Sequence, residues 1–329
     1  MNGSVVMTTI NPPNNFLETF LDGNKSVTGA FVAGDVMSPD ATWSAFSRKD
    51  VTFIPFSEQG GLSEELHNLL PPNHYSRKLF AYLAAVRSGA DFVIDTDDDN
   101  LSLMPFPKRS ELGGEMRLVT EEGWVNVHRL FGDPVGWPRG LPLDEISKPP
   151  PKTEFTTGNQ IGVIQGLVQG DPDLDAISRL VLANTPVVYG AALVQLGEGS
   201  VSPFNSQNTL FFAETFPLLY LPSTVTFRFT DILRSVVAQP ILWKMGLGLG
   251  FFGPNGRQDR NPHNIFADFL DEIPMYLNCK RAFEIVSNVV SNQSLVDNLC
   301  DSYAALAVSG IVLETELDAL HAWLESISR

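Results

Sequence analysis

The sequence predicts a three-layer α/β domain followed by a helical C-terminal addition. Three observations lead to it. Strand-like and helix-like stretches alternate through the early chain, and helices dominate its end. The apolar run Phe92-Val93-Ile94 opens straight into Asp95, Asp97, Asp98 and Asp99, which reads as a buried strand with acids at its C-terminal end. Apolar residues make up 43% of the 329 positions, enough for a sizeable core.

Taken in order, Ser4–Ile10 reads as a first strand, stopped by Asn11-Pro12-Pro13. Asn15–Leu21 suits a short helix. Thr28–Ala33 is a second strand, closed by Gly34-Asp35, and Val51–Pro55 is a third. Asn73–Ser88 is the clearest early helix, because Leu79, Tyr82, Leu83 and Val86 share one face. Gly89 is placed as its C-terminal cap. Arg77 and Lys78 lie in its first turn, where cations oppose the helix dipole. A bound anion would justify them; two ordinary exposed bases are the plainer explanation.

An irregular, polar region follows the acidic strand to about Lys152 and reads as loop over the sheet. It holds Pro134–Leu143 (PVGWPRGLPL) and the tract Lys148–Lys152. Ile161–Val168 and Pro186–Leu196 read as strands, and Gly170–Leu180 between them as a turn entering a helix. Thr209–Phe212 and Thr224–Phe229 are further strand candidates. Thr230 can cap a helix from Asp231 to about Gln239, which Pro240 interrupts. His263–Ile273 is amphipathic, and Ala282–Val290, Leu295–Ala307 and Glu314–Ile327 make a helical tail. One domain over residues 1–280 is expected, with a helical extension over 281–329 packed on it.

The 22 Lys and Arg against 38 Asp and Glu give a formal net charge of −16. That argues against a nucleic-acid polymer or an anionic membrane surface as partner. Cys279 and Cys300 imply no disulfide framework and read as free thiols in a reducing compartment. The start, MNGSVVMTTINPP, lacks the pattern of a signal peptide, and no stretch is long and apolar enough to span a bilayer. A cytoplasmic location is therefore the expectation, and homo-oligomerisation stays open.

The acidic run carries most of the chemistry. Two unit charges ~5 Å apart repel by about 3 kcal/mol at an effective dielectric of ~20. Several carboxylates at one strand end therefore point to a cation, and oxygen-only ligands suit Mg²⁺ or Mn²⁺. A solvated acidic turn is the bland alternative. Trp137, between Gly136 and Pro138, is a candidate stacking platform for a sugar or base, or else a loop anchor. His74, His128 and His263 are isolated, and Arg257, Asp259 and Arg260 form a charged turn that could clamp a diphosphate or sit in solvent.

Motif by motif, the sequence resembles two related groups: the glycosyltransferase-like domain of the STELLO proteins, and the reversibly glycosylated polypeptides, which include UDP-arabinopyranose mutases. The matching segments run in order from about Val5 to Asp271. They are a first strand ending TTI, Gly34-Asp35, SRKLFAYLAAVRSGADFVIDTDDDN, WPRGLPL, GDPDLDAISRL, FNSQNTLFF, FRFTDILR and the RNP at Arg260. The resemblance implies a GT-A fold, a Rossmann-like sheet that binds a nucleotide sugar through a divalent metal.

Carried over residue by residue, Asp97 and Asp99 would contact Mn²⁺ or Mg²⁺ and the diphosphate, with Asp98 between them. Thr8, Thr9 and Asp35 match nucleoside-holding positions, and Arg77 matches the arginine before the triplet. Arg139 lies in the loop that carries a self-glycosylated arginine in the second group. Asp173 and Asp175 match the DPDxDA block, and Asp231 matches the second acid of an Arg-Tyr-Asp-Asp segment. Asn100, Thr230 and Gly256 depart from that group's cysteine, aspartate and histidine, which leaves His263 or Asp259 as substitutes for a third metal ligand. No counterpart of the STELLO membrane anchor is expected.

The implied chemistry is transfer of a sugar from a nucleotide sugar, of the UDP class, to a glycan or protein acceptor. Metal and Arg77 would offset charge on the departing diphosphate. Asp231 would take the acceptor's proton in an inverting reaction; its plainer role is a helix N-terminal acid. Two other readings are a UDP-sugar mutase that glycosylates itself at Arg139, and a non-catalytic GT-A scaffold in polysaccharide synthesis.

Overall fold

The protein is described from a computed structural model covering residues 1–132, 136–158, 160–182, 186–258 and 264–329. Asp259, Arg260 and His263 of the sequence reading, and Pro134 and Val135 of the PVGWPRGLPL stretch, lie outside the described residues.

The chain opens with strand β1 (Gly3–Thr9), helix α1 (Phe16–Gly23), β2 (Val27–Gly34), α2 (Asp40–Ser44), β3 (Val51–Ile54) and α3 (Glu64–Leu69). Helix α4 (Leu79–Arg87) leads into β4 (Phe92–Thr96), β5 (Asn100–Ser102), β6 (Met116–Val119), β7 (Gly123–Trp124) and β8 (Thr153–Thr156). The long strand β9 (Ile161–Gly170) precedes α5 (Ala176–Val181), β10 (Ala192–Leu196), β11 (Ser200–Val201) and β12 (Asn208–Phe212). Helix α6 (Thr230–Lys244), strand β13 (Gly248–Gln258) and helices α7 (Ile265–Val289), α8 (Leu295–Val308) and α9 (Glu316–Ser328) complete it.

One mixed sheet runs in the order β3-β2-β1-β4-β12-β9-β13-β10-β6-β8, with β5 on β13 and a separate small β7–β11 pair. Strands β3, β2, β1 and β4 are mutually parallel, so their C-terminal ends share one edge. Side chains alternate across the pleat. Val5, Met7, Val32 and Ile94 pack on one face with α1 and Trp43. Val6, Ala33 and Val93 pack on the other with α4 and α6 through α9. The C-terminal helices thus share a continuous core with the sheet, and the expected 280/281 border falls inside α7. Among the described residues no helix is long and apolar enough to cross a membrane. Cys279 and Cys300 are both free.

Several local expectations change. The stretch read as one helix from Asn73 divides into a 3-10 turn, Tyr75–Lys78, and α4; Gly89 then takes a positive φ of 79°, as a helix stop wants. Thr224–Phe229 is loop, not strand, because its polar groups turn to Glu316 and Asp271. Neither Pro240 nor Pro274 stops its helix. Val236, Val237, Ile241 and Leu242 are buried around Pro240, and that packing outweighs the lost N–H bond.

Candidate functional site

The parallel strands β1, β2 and β4 deliver Thr9, Asp35 and the acidic triplet to the same edge. Asp98 accepts from the Thr9 hydroxyl and, at 2.9 Å, from the Asn11 amide; Asn14 holds the Asp98 carbonyl at 2.7 Å. The Thr8 hydroxyl instead donates to the Ala33 carbonyl at 3.0 Å. Asp35 is buried and accepts from the backbone N–H groups of Val36 (2.7 Å), Asn73 (2.9 Å) and His74 (3.2 Å). It thereby pins the segment that carries Tyr75. Asn73 sits there at φ 54°, an uncommon backbone for a residue with a side chain.

Tyr75 and Lys78 meet Asp97. The Tyr75 hydroxyl donates to Asp97 at 2.6 Å, and the Lys78 ammonium lies 3.3 Å from the same oxygen. Lys78 has no exposed side-chain surface and also reaches Asp95 at 2.6 Å and the Thr96 carbonyl at 2.7 Å. Asp95 is completed by Arg234 at 3.0 Å, so this buried acid belongs to a paired network behind the site. Asp97 faces the cleft with a third of its side chain (33%) exposed. Burial pushes its carboxyl up to about 7; Lys78 opposes the shift and the Asp99 charge adds to it. Asp99 accepts from the Gln258 amide at 2.7 Å, and Gln258 is joined in turn to Gln207 at 2.5 Å.

Arg77 needs correction. It neither faces solvent nor approaches the triplet: its guanidinium donates to the carbonyls of Leu70 (2.7 Å) and Pro71 (3.1 Å) and to Gln59 (3.2 Å), over the Phe56 ring. Consecutive side chains on a 3-10 turn project about 120° apart, so when Lys78 reaches Asp97, Arg77 faces away from it.

A second wall faces Asp97 across the cleft. Arg139 is buried between two acids. Its Nε donates to Asp173 at 2.8 Å, and its Nη1 and Nη2 donate to the two oxygens of Asp231 at 2.9 and 3.0 Å. Nη1 also meets the Arg228 carbonyl. Burial alone would lower this guanidinium, but Asp173 and Asp231 more than offset it, and its pKa rises well above the ordinary value. Gly140 follows at φ 91°, where a Cβ would come within 2.6 Å of Ile232, so the turn that aims Arg139 requires glycine. Asp231 also accepts from the Ser206 N–H at 3.0 Å, and Asp173 from the Asn205 amide at 3.0 Å. Arg228 ties this wall to Glu272 on α7 at 2.6 Å.

The cleft itself is lined by Tyr75, Asp97, Gln207, Gln258, Arg139, Asp173, Asp231, Arg228 and Phe227. Four residues singled out in the sequence are therefore brought together: Asp97, Arg139, Asp173 and Asp231. Asp175 and Trp137 are not among the lining residues. The Trp137 indole donates to Asp175 at 2.7 Å, and Asp175 caps α5 through the Ser178 N–H at 2.6 Å. Burial pushes the Asp175 carboxyl up to about 7. Trp137 thus takes the plainer of its two roles, a loop anchor. Of the isolated histidines, His74 joins the Val225 carbonyl at 3.2 Å and His128 joins Tyr189 at 2.9 Å.

Among the described residues no group of three or more His, Cys, Asp or Glu is assembled that could hold a metal ion by protein ligands alone. Two carboxylates with solvent and diphosphate oxygens completing the shell is the mode a hard cation such as Mg²⁺ accepts. Asp97 and Asp99 fit that mode, since the charge of one raises the pKa of the other and a cation would relieve the pair. Sequence reasoning missed Lys78 as a partner of Asp97, and it missed Tyr75, Phe227, Gln207 and Gln258 as lining. Their partners lie far along the chain and leave no local pattern.

A mixed sheet with an acid-bearing edge, helices on both faces and C-terminal helices define a GT-A-like α/β domain, a glycosyltransferase type of fold. No family model matches the chain. It is similar to Probable glycosyltransferase STELLO1 of Arabidopsis thaliana, 28% identical over 312 residues, which is 87% of this chain and 40% of that protein. With Probable glycosyltransferase STELLO2 of the same plant it shares 27% identity over 308 residues, 85% of this chain and 39% of that one. The chain thus spans about two fifths of the length of the curated relatives it matches.

Proposed function

We propose that this protein is a glycosyltransferase that takes a nucleotide sugar, of the UDP class, as donor and depends on Mn²⁺ or Mg²⁺. The observation that carries the proposal is the shared cleft. Asp97, Asp173 and Asp231 come from three distant segments and line one wall-to-wall opening at the C-terminal edge of the parallel strands, where open α/β sheets bind ligands. The likeness to two proteins named as probable glycosyltransferases supports the same class.

In this reading Asp97 and Asp99 hold the metal. The metal would supply positive charge for the departing diphosphate. Tyr75 and Lys78 fix the Asp97 carboxylate from behind, and Lys78 adds a second, permanent positive charge close to that position. The Thr9–Asp98–Asn11 cluster shapes the nucleoside end. Asp231, held by Arg139 and the Ser206 N–H, is the acid assigned to take the acceptor's proton. Each Arg139 nitrogen already donates to an acid, which supports a positioning role over self-glycosylation. A glycan or protein acceptor belongs to the same proposal.

The test is calorimetric titration of UDP with and without Mn²⁺. Wild type should bind in a metal-dependent way, and Asp97→Ala and Asp99→Ala should abolish that binding while circular dichroism shows an intact fold. Binding by both variants as tight as wild type, or none by wild type, would overturn the assignment.

A further inference from the structure

One residue of the cleft has no part in the chemistry above. Phe227 is 49% exposed, an aromatic ring open to solvent among polar neighbours. Its loop is nonetheless fixed on both sides. The Thr226 hydroxyl donates to the Asp271 carbonyl at 2.7 Å, and the Arg228 N–H donates to the Asp271 carboxylate at 2.9 Å. Upstream, the N–H groups of Ser223 and Thr224 donate to buried Glu316 at 2.9 and 2.7 Å. The ring makes T-shaped contacts with Tyr75, centroids 5.1 Å apart at 62°, and with His74, 6.4 Å apart at 72°. Tyr75 in turn donates its hydroxyl to Asp97 at 2.6 Å. A solvent-facing phenyl is therefore held one ring away from the carboxylate assigned to the metal.

The groups that share the cleft with Phe227 include Gln207, Gln258, Arg228 and the acids Asp97, Asp173 and Asp231. A pyranose presents hydroxyls around its rim and C–H bonds on its faces, so a polar ring of donors and acceptors beside one apolar plate suits it. A nucleobase could also lie on a phenyl ring. The residues at the nucleoside end, Thr9 and Asn11, do not line this cleft, whereas Asp231 does. We propose that Phe227 is the plate against which the sugar moiety of the donor packs, so that it contributes to binding the sugar and not the nucleotide. The inference rests on the donor reading given above.

Four ligands and four proteins test it. The dissociation constants of UDP and of UDP-glucose, UDP-galactose and UDP-arabinose are measured with Mn²⁺ for wild type, Phe227→Ala, Phe227→Leu and Phe227→Tyr. UDP affinity should stay within about twofold throughout, since no nucleotide contact is removed. The UDP-sugar that gains most over UDP in wild type should lose about tenfold in Phe227→Ala, the scale of one stacking contact. Phe227→Leu should fall between, and Phe227→Tyr should keep the affinity. An equal loss for UDP would assign the ring to the base, and an unchanged sugar gain in Phe227→Ala, or no gain over UDP in wild type, would remove the role. Failure of wild type to bind UDP at all overturns the donor reading itself, which is a different result.

Discussion

Replacing Arg139 with methionine measures what the buried ion cluster contributes. Methionine retains an unbranched apolar stem but none of the donors. The contacts that vanish include 2.8 and 2.6 Å to Asp173, 2.9 and 3.0 Å to the two oxygens of Asp231, and the one to the Arg228 carbonyl. The side chains of both acids are only 6% exposed, so water is a poor replacement for the guanidinium. Asp173 keeps Arg228 at 3.5 Å and Asn205 at 3.0 Å. Among the described residues Asp231 keeps the weaker support of the Ser206 N–H and the charge of Arg234, and the loss falls mainly there. Stranding a buried carboxylate costs about 3–5 kcal/mol, and the residual pairing of Asp173 places Arg139→Met near the lower end, about 3 kcal/mol. Urea denaturation followed by far-ultraviolet circular dichroism reads it directly. The double variant Arg139→Met/Asp231→Asn removes the stranded charge and should recover on the order of 1–2 kcal/mol, a coupling far from additive. The deficit should also shrink as pH falls from about 8 to 5. A buried carboxylate without its cation has a raised pKa, so the folded variant takes up a proton that the unfolded chain does not. A change under about 0.5 kcal/mol at pH 8, or strict additivity of the two single variants, would refute the reasoning.

Three further outcomes follow from the other side of the cleft. Asp97, raised by burial to about 7, is the usual carboxylate case reversed: its protonated form favours the folded state. Ligand-free protein should lose stability as pH rises from about 4 through about 7, and Asp97→Asn should flatten that slope in urea midpoints taken at pH 5 and 8. The same proton competes with a metal, so Mn²⁺-dependent UDP affinity should rise between about pH 6 and 8; an affinity independent of pH would contradict the placement of Asp97. Lys78→Met leaves Asp95 with Arg234 and the Tyr82 hydroxyl and should cost about 3 kcal/mol in the same denaturation assay, against a negligible cost if the ammonium were an ordinary surface charge.

The features legible in the sequence were those written locally. Phe92–Thr96 followed by Asp97–Asp99 announces a buried strand and a charged mouth within a few positions, and the structure has both. Strands β1 and β2 were legible for the same reason, though not that they pair in parallel. Strand β13 was not. Gly248, Gly250, Gly253 and Gly256 deprive it of the branched residues that mark a strand, yet it lies between β9 and β10 in the middle of the sheet. Its glycines answer to neighbours far along the chain: a Cβ on Gly248 would strike the Gln195 amide at 2.3 Å. Thr224–Phe229 misled in the opposite direction. Its alternation imitates a strand, but the partners of its backbone are carboxylates on α7 and α9, which no window of local sequence contains. Arg77 and Lys78 were visible as a pair, and only the sense of a 3-10 turn decides which of them looks at Asp97.

Glu316 gives the end of the chain a hold on its middle. This single buried carboxylate on α9 accepts from Tyr220, Ser223 and Thr224, just ahead of the loop that presents Phe227. The last helix therefore behaves as a tent peg for the mouth of the cleft. A protein cut back before α9, or a chimaera that grafts the sheet without it, would carry every lining side chain and still lose the tension that keeps the opening in shape.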